Sequence, residues 1–204
     1  MILRVTEYDE PVLRCKGERV KRFDADLKQL TQDMLETMYA KKGIGLAAQQ
    51  IGQKKMVCVV DLLEAARELN LEFRWDNRFL PIDLIMPLIM INPTISFQSE
   101  NKSSYEEGCL SFPGIHGPIY RSESIEVDYL DLEGSSHRLE CNNLLARVIQ
   151  HETDHLNGIL FIDRMGTDTL DEIKDDLQAM KKNTRARLRS LAQCLGTEKP
   201  DSER

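Results

Sequence analysis

The spacing of apolar and polar positions predicts an amphipathic helix and several strands in the first part of the chain. Residues 24–40 have the three-and-four spacing of a helix that buries one face, and Asp24 opens it. Its apolar positions are Leu27, Leu30, Met34 and Met38. Apolar runs over 56–61 and 88–92 predict buried strands, and we expect Pro93 to end the second.

The middle of the chain alternates between polar turns and strand patterns. Residues 99–106 are polar and are expected to form a turn. Residues 124–130 alternate in strand fashion, and 131–134 turn the chain back toward 138–140, which predicts a β-hairpin. Residues 158–163 are a short apolar strand or loop.

Two segments show no clear period. Residues 1–22 mix apolar pairs with turn signals and are expected to form an arm packed across the body. Residues 62–87 interrupt the strand pattern with two prolines, and 64–71 have some helical character. We expect 62–87 to leave the core as a surface flap.

A second helix is predicted over 143–156. Four of its residues fall within roughly 60° of one another at 100° per residue, and they form one stripe. They are Leu144, Val148, His151 and His155. Asn142 and Asn143 are suited to cap its start, and Gly158 stands where the helix would end.

A long terminal helix is predicted over 168–196, followed by a frayed tail over 197–204. Its apolar stripe is Leu170, Ile173, Leu177 and Met180, and its late turns carry Lys181, Lys182, Arg185, Arg187 and Arg189. The basic cluster has two interpretations. It is a solvated helix end that complements the helix dipole, or it contacts RNA or another acidic surface.

Composition limits the class of protein. With 204 residues, 41% of them hydrophobic, the chain can bury one full core, so 1–204 is expected to be a single domain. The net charge of −7 argues against sequence-specific or wholesale nucleic-acid binding. No apolar run reaches the ~20 residues of a membrane span, and no signal peptide is recognisable. Five irregularly spaced cysteines are typical of a reducing cytoplasm.

The candidate chemistry starts with His151-Glu152-Thr153-Asp154-His155. Residues four apart share one helix face, so His151 and His155 can bind one metal ion, and Glu152 can handle a water proton. The alternative is two buried histidines with satisfied hydrogen bonds. The motif alone leaves both interpretations open.

Two further segments are chemically suggestive. Residues 43–52 are small and glycine-punctuated, which indicates either a tight turn into a strand or close approach to a ligand at Gln50. Cys109 lies in a short loop between Gly108 and Pro113, where it is either a small hydrophobe or a presented thiolate. The chain lacks a Cys-x-x-Cys pair and a Walker-type phosphate loop.

Taken together, the three segments resemble the signature motifs of the peptide deformylases. The family patterns GxGxAAxQ, EGCLS and QHExDHxxG are matched at every fixed position by residues 43–50, 107–111 and 150–158, in that order. The resemblance covers roughly 1–165. It implies an α+β fold, with mixed, mostly antiparallel sheets around a central metal-binding helix. A C-terminal helix would pack outside the 1–166 core.

The resemblance also implies roles for individual residues. The metal ligands would be Cys109, His151 and His155. Glu152 would take a proton from water and deliver it to the leaving amine, and the Gln50 side chain with the Leu110 N–H would stabilise the oxyanion. Gly45 would bind substrate backbone, and a methionine pocket would be built from Gly43, Ile44, Leu144 and Val148.

The implied reaction removes the formyl group from N-formylmethionyl nascent peptides and releases formate in the cytoplasm. The implied metal is Fe2+, which Ni2+, Co2+ or Zn2+ can replace in a purified sample. The basic terminal helix would place the enzyme on the ribosome. Two alternatives remain: a zinc protease, which would need a further ligand downstream, and a catalytically idle metal-binding homologue that docks on ribosomes.

Three features depart from common family members. Residues 62–87 are an apparent insertion, and 141–143 replace a glycine-containing turn. His116 is expected in a loop, at a position where some members place an arginine near the substrate.

Overall fold

The computed structural model describes residues 1–66 and 71–194. The α-helices of this part are α1 (Ala25–Ala40), α2 (Leu63–Ala66), α3 (Asn143–Leu156), α4 (Thr167–Glu172) and α5 (Lys174–Cys194). The strands are β1 (Gly45–Ala47), β2 (Val57–Val60), β3 (Phe73–Trp75), β4 (Leu88–Gln98), β5 (Lys102–Gly108), β6 (His116–Ser122), β7 (Ser124–Leu130) and β8 (Ser136–Asn142).

The strands form two antiparallel sheets. The larger has six strands in the order β1-β2-β4-β7-β8-β3, and the smaller pairs β5 with β6. Helix α3 contacts β1, β2 and β8 of the larger sheet and β6 of the smaller one. This arrangement confirms the expected α+β class, in which mostly antiparallel sheets surround one central helix.

Helix α1 matches the helix that the apolar spacing predicts. The Asp24 carboxylate caps it by accepting a hydrogen bond of 3.1 Å from the Leu27 N–H. Leu27, Met34 and Met38 are buried on one face, where they pack with residues of β1 and β2. The hairpin prediction is also confirmed, because β7 pairs with β8 in continuous register.

Helix α3 is almost entirely buried, and its start differs from the prediction. The Asn142 side chain makes no capping bond and instead accepts a hydrogen bond from the Glu72 N–H at 3.3 Å. Asn143 takes a positive φ of 50° at the first helical position, and it provides no cap either. The predicted end is right: Gly158 has φ 74°, and a Cβ there would lie 2.6 Å from the Arg14 carbonyl oxygen.

Two predicted strand boundaries are wrong. Strand β4 continues through Pro93 to Gln98, because the register shifts between Ile91 and Thr94 and the proline lies inside that irregularity. Asn92, with φ 53°, bends the chain there and is held by two side-chain hydrogen bonds to the backbone of Val20. The polar stretch 99–106 is largely strand β5, whose exposed positions explain its composition.

The segment 62–87 is more than a surface flap. Its strand β3 extends the edge of the large sheet by pairing with β8, and Phe73 is buried in the core. The Trp75 indole donates a 2.9 Å hydrogen bond to the Tyr129 hydroxyl and stacks on the His137 ring. Helical structure covers Leu63–Ala66, and the predicted helical character over 67–70 lies outside the described residues.

The terminal helix is divided in two. Helix α4 ends at Glu172, and Ile173 separates it from α5. The predicted apolar stripe packs on a cluster that contains Leu13, Phe112 and Phe161. Residues 158–163 form a loop that leads into a 3₁₀ turn, and the predicted tail lies outside the described residues. Among the described helices, none combines the length and apolar character needed to cross a membrane.

Replacing His137 with glutamine is expected to reduce stability most at low pH. Burial lowers the pKa of His137, but hydrogen bonds to Asp76 and Asp131 outweigh it, and the net pKa is raised. Such a group adds stability that is complete below an unfolded pKa of about 6.5 and is lost as the pH rises through the folded pKa. Urea unfolding of the wild type and H137Q should therefore show a difference in unfolding free energy that shrinks with rising pH.

The control for this experiment is H116Q, which changes an exposed histidine. A wild-type minus H137Q difference that grows with pH would contradict the assigned ion pairs.

Candidate metal centre and substrate cleft

Cys109, His151 and His155 converge at the core of the molecule. Their ligand atoms all lie within 4.8 Å of one another, and the Cys109 Sγ is 3.3 Å from the His155 Nε2. Both imidazoles are buried on α3, and the half-buried thiol lies just after β5. One sulfur and two nitrogen donors around one point fit a divalent transition metal with an open coordination position.

The orientation of His151 is fixed by a buried carboxylate. The His151 Nδ1 donates to Glu107 Oε2 at 3.0 Å, which leaves Nε2 to face the centre. Burial raises the pKa of Glu107, but hydrogen bonds from His151 and Arg121 outweigh it and lower this pKa to about 2. Glu107 is therefore an ionised acceptor, and it holds the tautomer of His151 that metal binding requires.

Two arginines hold Glu107 in place. Arg121 binds it through Nε at 2.7 Å and Nη2 at 3.0 Å, and Arg147 binds it through Nη1 at 2.8 Å. Arg121 also donates to Asp154 of α3 at 2.7 Å, and Arg164 binds the same carboxylate. These groups are charged and mostly buried, so they form a compensated network beneath the centre.

The sequence motifs do not identify this supporting network. Arg121 and Arg147 lie outside the three motifs, and Glu107 and Asp154 are motif positions to which the pattern gives no role. A charged residue within an apolar stretch was the available signal, as at Arg147 between Ala146 and Val148. That signal shows that a partner is needed, but the partner is identified only by the fold.

His155 lies in a different electrostatic environment. Burial lowers the pKa of His155 well below its usual value. A neutral imidazole is the form that binds a metal ion. The ring planes of His151 and His155 are inclined at 70° to each other, with centroids 5.0 Å apart.

Glu152 turns toward β1. A Cβ added at Gly45 would lie only 2.4 Å from Glu152 Oε1, so the glycine leaves the space that the carboxylate occupies. Glu152 Oε2 is buried and has no hydrogen-bond partner among the residues that the structure describes. Burial raises the pKa of Glu152 to about 7, which suits a group that must gain and lose a proton near neutral pH.

The Gln50 amide is held in one orientation. Its Oε1 accepts a 2.7 Å hydrogen bond from the Ala47 N–H, so the Nε2 protons point toward the centre. Nε2 lies 3.4 Å from the Cys109 Sγ, and the Ser111 N–H lies 3.4 Å from the same sulfur. Gln50 therefore presents a neutral donor beside the three candidate ligands.

A cleft of about 710 Å³ opens onto these groups. All four residues predicted for the methionine pocket line it, namely Gly43, Ile44, Leu144 and Val148, and so do Gly45 and Leu110. Gly43 and Leu110 are in close contact, since a Cβ at Gly43 would lie 2.9 Å from the Leu110 Cδ1. Tyr105 and Arg147 complete one side. His116 is also at the cleft, at the start of β6 and against Gly108 rather than in a loop.

Comparisons with known proteins relate the chain to one family. The family model described as polypeptide deformylase matches residues 2–171. The chain is 50% identical to a peptide deformylase of Opitutus terrae, over 91% of this chain and 96% of that protein. It is 42% identical to a peptide deformylase of Methylacidiphilum infernorum, over 89% and 94% of the two chains.

Solved structures show the same likeness. Peptide deformylase 1B of Arabidopsis thaliana, in complex with an inhibitor, superposes with a TM-score of 0.78 at 34% identity over 91% of this chain and 93% of that chain. A peptide deformylase of Synechococcus elongatus, in complex with actinonin, gives a TM-score of 0.72 at 39% identity over 86% of each chain. The chain therefore belongs to the peptide deformylase family of metal-dependent hydrolases.

Proposed function

We propose that this enzyme removes the formyl group from N-formylmethionyl nascent polypeptides and releases formate and a free N-terminal methionine. The observation that carries the proposal is one cleft lined by Cys109, His151, Glu152 and Gln50, with the His155 imidazole beside Cys109 and with the Glu152 Oε2 unpartnered among the described residues. Residues 1–166 would act as one catalytic core, on which the terminal helices pack.

Cys109, His151 and His155 would hold the metal, and we propose Fe2+ as the physiological ion. Ni2+, Co2+ or Zn2+ can satisfy the same sulfur and nitrogen donors, so any of them can occupy the site in a purified sample. When bound, a divalent ion supplies a Lewis acid and lowers the pKa of water toward neutrality. The Cys109 thiolate is only partly buried and lies at the cleft, which would also make the enzyme sensitive to oxidation.

Glu152 would accept the proton of the attacking water and deliver it to the amine that leaves. Its raised pKa near 7 and its buried, unpartnered oxygen support both steps. The Gln50 Nε2 and the Leu110 N–H would donate hydrogen bonds to the oxyanion that develops on the formyl oxygen. Both donors are neutral. The hydrogen bond from the Ala47 N–H already fixes the Gln50 side chain, so Gln50 would not need to reorient during the reaction.

The methionine side chain would enter the apolar part of the cleft. Ile44, Leu144 and Val148 provide branched surfaces there, and an unbranched thioether fits such a slot. Gly45 lies in β1, the edge strand of the large sheet, where a substrate backbone could pair with it. Leu110 and Gln50 would exclude acyl groups larger than formyl by their proximity.

We propose that the enzyme works in the cytoplasm and reaches nascent chains by docking on the ribosome through α5. The ion pairs of α5 show which of its basic residues remain available for docking. Lys181, Arg185 and Arg187 pair with carboxylates of the N-terminal arm, whereas Lys182 and Arg189 are exposed and form no ion pair within the described part of the chain. The positive charges of Lys182 and Arg189 face solvent and can bind RNA phosphates.

Two alternative functions, a zinc protease and a catalytically idle homologue, differ from this proposal in the third metal ligand and in turnover, respectively. A zinc protease would take a further ligand downstream of His155, but the third donor at this centre is Cys109, which lies upstream. An idle homologue would bind metal without hydrolysing a formyl peptide.

Glu152→Ala is expected to lower kcat for formate release by about 10²–10⁴-fold, because proton transfer loses its carrier. The variant should keep its bound metal, since Glu152 is not one of the three converging ligands. Formate release from a short formyl-Met peptide and metal content measure the two properties. E123A, at an exposed turn, is the matched control. Equal turnover by E152A and wild type would reject the role of Glu152.

Gln50→Ala is expected to lower kcat by about 10²–10³-fold with a smaller effect on KM, because an oxyanion donor is lost. Steady-state kinetics of the metal-loaded protein measures the split. The matched control is Q53A, since Gln53 is exposed and lies close in sequence. A loss confined to KM would show that Gln50 binds substrate without stabilising the transition state.

The double variant K182E/R189E is expected to weaken co-sedimentation with ribosomes while leaving activity on a short formyl peptide unchanged. Two reversed charges reduce the attraction to phosphates, and the loss should be largest at low salt. R19E/K54E applies the same charge change to two exposed residues elsewhere. Unchanged co-sedimentation of K182E/R189E would end the docking proposal.

A further inference from the structure

The N-terminal arm joins the two segments that carry the proposed oxyanion donors. The Thr6 N–H donates to the Gln50 carbonyl at 2.7 Å, and the Tyr8 N–H donates to the Ser111 carbonyl at 3.0 Å. Gln50 follows β1, whereas Ser111 comes directly after Leu110 in the loop beyond β5. Residues 6–8 therefore form a short backbone bridge between the Gln50 carbonyl and the Ser111 carbonyl, and Ser111 is the residue next to Leu110.

The bridge is held from its other side by the carboxylate of Glu10. Glu10 is only 5% exposed, and it accepts hydrogen bonds from Arg4 at 2.6 and 2.8 Å and from the Glu7 N–H at 2.9 Å. The Arg187 guanidinium of α5 donates to Glu10 at 2.8 Å and to Glu7 at 2.7 Å. One residue of α5 is thus bonded to two carboxylates of the arm, Glu7 and Glu10.

This contact differs from an ordinary surface ion pair. Exposed pairs contribute little, whereas a buried carboxylate is costly to leave with fewer partners, and without Arg187 the cation bonded to Glu10 would be Arg4 of the arm itself. The other contacts between α5 and the arm, from Lys181 and Arg185 to Asp9, involve more exposed cations. Among the α5 cations that pair with the arm, Arg187 is therefore the one that connects α5 to the buried carboxylate of Glu10.

We propose that Arg187 is a positioning residue, which acts through Glu10 and the arm to hold the Gln50 and Leu110 donors at the spacing that the oxyanion needs. This inference rests on the proposed function. Donors aimed at a developing charge lose much of their effect when they are displaced by a fraction of an ångström. Helix α5 then contributes to turnover as well as to stability, although Arg187 does not touch the substrate.

The test compares R187M, which keeps the length of the side chain, with R187K, which keeps its charge. R187M should lower kcat about tenfold with bound metal unchanged and a smaller effect on KM, because the donors are displaced while the ligands remain and Glu7, which lines the cleft, loses one bond. R187K should recover part of that loss. R138M is the matched control, because Arg138 forms a bidentate ion pair with Asp128 on the exposed face of the β7–β8 hairpin.

Amide hydrogen exchange adds a readout that is independent of activity. The Thr6 and Tyr8 amides should exchange about tenfold faster in R187M than in the wild type, since their bridge is released. A role limited to global stability would lower Tm and raise exchange across the whole core. E10Q is the second variant, and R187M/E10Q should lose no more kcat than either single variant if both act through one contact.

The outcomes separate the two claims. No formate release by the wild type would overturn the proposed function. Wild-type turnover with R187M as active as R138M, or with unchanged Thr6 and Tyr8 exchange, would overturn the role of Arg187 alone.

Discussion

The buried carboxylate of Glu107 is the charge on which the candidate metal centre depends. It fixes the tautomer of His151 and is itself held by Arg121 and Arg147. Burying these charges is costly unless every one of them is bonded, and the two guanidinium groups and the imidazole supply those bonds. The network joins β5, β6 and α3, so the same contacts that compensate the charges also bring Cys109 against the histidines.

The rest of the site is assembled from segments far apart in the chain. Gln50 follows an edge strand, Cys109 lies in a loop, and both histidines lie on the central helix, so no single element can set the distances between them. The arm supplies one of the missing restraints through backbone bonds to Gln50 and Ser111. Arg4, Val5 and Glu7 of the arm also line the cleft, so the arm adjoins the site that it restrains.

Features with a strong local period were predictable from the sequence, and features that depend on distant partners were not. Helix α1 and the β7–β8 hairpin form where the sequence pattern predicts them, because burial of one face is encoded in the local spacing of apolar residues. The prediction that Pro93 ends its strand was wrong, because a register shift accommodates the proline within β4. Asn142 does not cap α3, because its side chain accepts a hydrogen bond from the Glu72 N–H of the 62–87 segment instead.

The site followed the same division. The spacing of His151 and His155 indicated a metal pair, and the family resemblance pointed to Cys109, but Arg121 and Arg147, which hold Glu107 in place, belong to none of the three motifs. The partners of Arg147 are bonded to it across 40 and 44 positions of sequence, and only the fold brings them together. A charged residue within an apolar stretch of sequence indicates that it has a partner in the fold, but the sequence does not show which residue that partner is.

The central claim is that one metal ion, held by Cys109, His151 and His155, enables deformylation. The most direct measurement is formate release from a formyl-Met peptide after chelation and anaerobic titration with Fe2+. The account predicts that turnover disappears with the metal and returns in proportion to about one equivalent per chain. Turnover that survives complete metal removal, or full metal binding without turnover, would contradict it.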